Sequence, residues 1–79
     1  MTHEDLKAIY NFLYREGYVT ESDPTYFIRG NTAIDIFDDG LVLIWRKRNQ
    51  EKIGEFSVNS YGSFIKKYRK LEGEKWGLT

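Results

Sequence analysis

The chain predicts an α+β domain of two layers. Apolar residues recur at helical spacing near both ends, the middle alternates with a period of two, and Gly30 and Gly40 break that middle where hairpins would turn. The expected order is an N-terminal helix, a four-stranded antiparallel meander with three strands as the alternative, and a C-terminal helix. Seventy-nine residues suffice for one core only, so 1–79 is expected to be a single domain.

Thr2 followed three positions later by Asp5 has the form of a capping box, and the acidic groups suit the positive end of a helix dipole. Leu6, Ile9, Tyr10 and Leu13 then fall on one stripe, and Gly17 supplies the left-handed residue that commonly ends a helix. A helix over about 3–16 follows. Tyr14 flanks the stripe, whereas Phe12 points away from it and needs a partner of its own or stays exposed.

Glu21-Ser22-Asp23-Pro24 is a polar connector, because proline disfavours helix in the residue before it. Beyond it, strands are expected over about 26–29, 32–37, 41–47 and 52–58. Gly30-Asn31 and Asp39-Gly40 are pairs suited to two-residue hairpin turns, and Arg48 to Glu51 form the last tip. Asn59 or Ser60 can cap a second helix, about 60–71, in which Tyr61, Phe64, Ile65, Tyr68 and Leu71 keep helical spacing before Gly73. A short tail, 74–79, carries Trp76.

With two-residue turns throughout, alternation sorts the strands onto two faces. One face collects Phe27, Ile34, Ile36, Leu41, Leu43, Trp45, Gly54, Phe56 and Val58, has no charge, and is the expected core. The other collects Tyr26, Ile28, Ala33, Asp35, Phe37, Val42, Ile44, Arg46, Ile53, Glu55 and Ser57, too apolar for a plain solvated surface. Either one helix covers each face, or both lie on the core face and leave this one open. In the second case Tyr26, Ile28, Phe37, Val42 and Ile44 form a protein-binding or dimer surface.

Composition bounds the function. Hydrophobic residues make up 41% and aromatics 16%, the signature of a folded chain, and there is no cysteine for a disulfide or a thiolate metal site. The acidic N-terminus lacks the apolar run of a signal peptide, and no stretch approaches the length needed to span a bilayer. A cytoplasmic protein with no membrane association is expected. The net charge of zero conceals a split: residues 1–40 hold eight acidic and three basic side chains, and residues 41–79 hold four acidic and nine basic. This is either a basic contact surface or two charge-complementary halves of one fold.

Site chemistry is sparse. His3 is the lone histidine, Asp38 and Asp39 are ordinary turn residues, and Ser57, Ser60 and Ser63 have no histidine near them in sequence. Neither an enzyme nor a cofactor or metal site is expected. The basic residues are more suggestive: Arg46, Lys47, Arg48 and Lys52 at one hairpin tip, with Lys66, Lys67, Arg69 and Lys70 on the last helix, are what phosphate-backbone binding uses. With Ser63-Phe64-Ile65-Lys66-Lys67 in its last helix, the helix–strands–helix order of the chain resembles the double-stranded-RNA-binding domain, which has lysines near the start of its last helix. It departs from that family in its fourth strand, in lysines one turn late, and in a first helix without the family motif.

The sequence thus points to a small non-enzymatic interaction module that binds a protein or a second copy of itself, of the adaptor, accessory or inhibitor type found among mobile genetic elements. Nucleic-acid binding through the basic residues is the alternative.

Overall fold

The computed structural model describes residues 1–73 and has the expected α+β, two-layer architecture, with five strands in place of four. The elements are α1 (His3–Arg15), β1 (Val19–Thr20), β2 (Tyr26–Arg29), β3 (Thr32–Ile36), β4 (Leu41–Arg46), β5 (Glu51–Ser57) and α2 (Tyr61–Gly73). The sheet is antiparallel, in the order β1-β2-β3-β4-β5. The expected tail, with Trp76, lies outside the described residues.

Helix α1 begins and ends as its sequence dictates. The Thr2 side chain accepts the Asp5 amide, the Asp5 carboxylate accepts the Thr2 amide, and both bonds of the capping box are present. At the far end Gly17 takes φ 96°. The Gly17 amide donates to the Tyr14 carbonyl and the Tyr18 amide to that of Leu13, the two bonds of a Schellman motif. This reversal buries Tyr18 and sends the chain directly into β1. The added strand has only two residues, pairing Val19 with Ile28 and Thr20 with Phe27. Two residues carry no periodicity, and Val19 is 57% exposed, so no pattern announces this strand.

The turn between β2 and β3 is the expected two-residue one. Of its central residues only Gly30 has positive φ, at 59°, as in a type II′ turn. The next turn differs from expectation. Phe37 and Leu41 close the hairpin, with the Phe37 amide donating to the Leu41 carbonyl and the Gly40 amide to that of Phe37. The loop is therefore the three residues Asp38-Asp39-Gly40, with Gly40 left-handed at φ 95°, the bulged form of a three-residue hairpin. One extra loop residue reverses the faces of β4. Val42 and Ile44, expected on the open face, are fully buried in the core, while Leu41, Leu43 and Trp45, expected in the core, turn to the opposite face.

A second irregularity lies in β5. Ile44 pairs with Gly54 but Trp45 pairs with Lys52, so Ile53 is an extra, bulged residue. Ile53 packs against the core cluster instead of facing outward as alternation predicts.

Both helices cover the same face of the sheet. Ile9 and Leu13 of α1 and Phe64 and Tyr68 of α2 share one buried cluster with Phe27, Ile34, Ile36, Val42 and Ile44. Phe12 is the seam between the helices: its ring stands edge-on to Tyr68 at 5.2 Å and to Phe64 at 6.2 Å. The residue that misses the α1 stripe thus finds its partner on α2. One buried polar contact completes the core, the Tyr18 and Tyr68 hydroxyls at 3.3 Å. Burial raises both phenols above the usual tyrosine range, Tyr18 well above it, so the pair stays protonated at neutral pH.

Candidate functional site

With both helices on one side, the other face of the sheet is left without a covering element among the described residues. Register places its side chains in rows. Tyr26, Asp35, Leu43 and Glu55 lie across the four longer strands in one row, and Ile28, Ala33, Trp45 and Lys52 in the next. Leu41 and Phe37 continue the surface toward the Asp38-Asp39-Gly40 loop. Ile28 and Ala33 are buried beneath their neighbours, Tyr26, Leu41, Leu43 and Trp45 are partly exposed, and Phe37 is 42% exposed.

Of the five residues expected to bind a protein, Tyr26, Ile28 and Phe37 belong to this surface, and Val42 and Ile44 belong to the core. Leu41, Leu43 and Trp45 take the place of the latter two. A signal for the exchange is present in Asp38-Asp39-Gly40, since glycine at the third position of a three-residue loop is as natural as glycine second in a two-residue one.

Asp35 sits in the middle of this surface. Partial burial raises its carboxyl above the ordinary aspartate range, the Trp45 side chain donates a hydrogen bond that draws it partly back, and Asp23 pushes it up again. Tyr26, its cross-strand neighbour, has its phenol raised by burial and by the Asp35 charge. Tyr26, Asp35 and Trp45, together with Arg46, Lys47 and Gln50, line an open cavity of about 410 Å³. Such a surface offers aromatic area, one partly desolvated acceptor and a cationic rim.

The eight basic residues do not form one patch. Arg46 pairs with Glu51, Lys52 with Glu55, and Arg69 with both Glu16 and Glu72. Arg69 also lies over the Phe12 ring at 5.3 Å, on the side of α2 that meets α1. Its bond to Glu16 is an ion pair joining the acidic first half of the chain to the basic second half. Lys47 and Arg48 form the β4–β5 tip, where their amides donate to the Asn31 backbone carbonyl and side-chain oxygen, each at 2.7 Å. Lys66, Lys67 and Lys70 line a separate groove with Gly54, Glu55, Phe56 and Leu71, of about 620 Å³.

The remaining chemistry-bearing residues serve the fold. Ser60 caps α2, its hydroxyl accepting the Ser63 amide at 3.1 Å, and the Ser63 hydroxyl returns the favour by accepting the Asn59 and Ser60 amides. Asp23 and Asp39 accept bonds from Thr25 and from the Leu41 amide within their own turns. Among the described residues no cluster of three His, Asp or Glu is placed to hold a metal, and no helix is long and apolar enough to cross a membrane. The chain matches no protein-family model, no curated protein and no solved structure.

Proposed function

We propose that this is a non-enzymatic cytoplasmic interaction module that binds another protein, a second copy of itself included, through the open face of its sheet. One observation carries the proposal: Tyr26, Leu41, Leu43, Trp45 and Phe37 remain together at the surface although both helices are already spent on the opposite face. Tyrosine and tryptophan concentrate at interfaces because each covers a large area while keeping a polar group for orientation. Asp35 and the cations at the margin supply that orientation. The alternative, nucleic-acid binding through the basic half, has less support, since Arg46, Lys52 and Arg69 already have carboxylate partners.

The test is Leu43→Lys, which sets a cation between its cross-strand neighbours Asp35 and Glu55. The variant should keep its unfolding free energy in urea within about 1 kcal/mol of wild type, as a change outside the core. It should lose self-association in sedimentation velocity, or lose the protein cross-links formed by a photoreactive residue placed at Tyr26. Unfolding of Leu43→Lys, or association unchanged by it, overturns the proposal.

A further inference from the structure

The groove between β5 and α2 is a second surface, distinct from the open sheet face. Its floor is an edge strand, because β5 ends the sheet order. The Val58 amide donates to the Gly40 carbonyl, which makes that pair a hydrogen-bonded one; by alternation, Phe56 and Gly54 also bond inward to β4. The backbone amides and carbonyls of Glu55 and Ser57 then point away from the sheet, and among the described residues no strand pairs with them.

The opposite wall is the lysine face of α2. Lys66, Lys67 and Lys70 are spaced so that all three share one side of the helix, where like charges three and four apart repel one another. Among the described residues none of the three has an ion pair, in contrast to Arg69 on the adjoining face. Lys67 instead lies over the Phe56 ring at 5.7 Å. Phe56 and Leu71 supply apolar lining between the lysines, and Gly54 lies beside the bulge on the same strand.

A free strand edge, apolar lining and three unneutralised cations are complementary to one kind of ligand. We infer that the groove binds an extended acidic segment of a partner protein by strand addition to β5, with its carboxylates toward Lys66, Lys67 and Lys70 and an alternate apolar side chain on Phe56 and Leu71. A nucleic-acid strand would use the same lysines but would need neither the amides of Glu55 and Ser57 nor a peptide backbone.

The test uses the whole chain with a fluorescein-labelled short peptide alternating Glu and Val. Its counterparts are the same peptide with Gln for Glu, the same peptide N-methylated at alternate amides, and a mixed-sequence single-stranded DNA. The Glu peptide should bind about tenfold more tightly than the Gln peptide, the order expected of a few exposed ion pairs. N-methylation should abolish binding, and amide NMR shifts should concentrate at Glu55 and Ser57. Lys67→Gln with Lys70→Gln, both at the surface, should remove the preference for Glu. Equal binding of the Glu and Gln peptides overturns the inference, as does equal binding of the N-methylated peptide. DNA binding with a steep salt slope, where the peptide binds weakly, assigns the groove to nucleic acid instead. Because the peptide assay reads β5 and α2 alone, its failure is separable from failure of the open-face proposal.

Discussion

The Asp5 carboxylate accepts the backbone amide of Tyr61 at 3.0 Å, across 56 positions of sequence. The same side chain closes the capping box of α1 with its other oxygen. One carboxylate therefore caps the start of both helices, and the relative placement of α1 and α2 is tied at their N-termini as well as at Phe12.

Removing Asp5 should destabilise the fold with a definite pH dependence. The Tyr61 amide first, and Thr2 second, hold the Asp5 carboxyl below the usual aspartate range. A depressed folded-state pKa contributes stability that is present above the unfolded value of about 3.9 and is lost as pH falls through the folded one. Asp5→Ala should lower the melting temperature at neutral pH, and its deficit should shrink as pH falls below the unfolded aspartate value of about 3.9. It should also speed amide exchange at Tyr61, and Glu4→Ala, in the same turn, should do neither.

The face of β4 can be checked with two adjacent residues. Ile44→Ala should cost about 2–5 kcal/mol, as a large-to-small change in a packed core, and Leu43→Ala below about 1 kcal/mol. Urea denaturation of the pair decides it, and the opposite order would restore the two-residue turn at Asp39-Gly40.

Asp35→Asn should stabilise the protein near neutral pH. Burial raises the Asp35 carboxyl, so its protonated form is the one the fold favours. That contribution is full below the unfolded pKa and is lost as pH rises through the folded value, leaving an ionised, partly desolvated group at pH 7. The urea midpoint of Asp35→Asn should exceed wild type at neutral pH and approach it near about pH 3.

Two turn glycines should respond unequally to alanine. At Gly30 an added Cβ meets nothing within 4 Å, so the cost is that of the positive-φ backbone alone, about 1–3 kcal/mol. At Gly40 the Cβ would land on the Val58 carbonyl oxygen, which cannot move without breaking the β4–β5 pairing. Gly40→Ala should cost clearly more than Gly30→Ala in thermal denaturation.

Local chemistry alone determined the two helices, the Gly30-Asn31 hairpin and the α+β class. A capping box, a left-handed glycine and a 3.6-residue stripe each act within a few residues, and their hydrogen bonds join groups only a few positions apart. The candidate surface was legible in part. Tyr26, Ile28 and Phe37 follow from alternation about a turn whose length is unambiguous, but β4 offers an apolar set on either face, Leu41, Leu43 and Trp45 or Val42 and Ile44, so hydropathy gave no choice between them. Tertiary structure made that choice: Val42 and Ile44 share one buried cluster with Ile9, Leu13, Phe64 and Tyr68 of the helices, and Phe37 and Leu41 close the loop of three residues that turns them inward. It likewise brought both helices to one side, since Phe12 finds its burial only between Phe64 and Tyr68. The open face is the consequence of that packing: the described residues hold two helices for two faces, and the contact between the helices themselves keeps both on one.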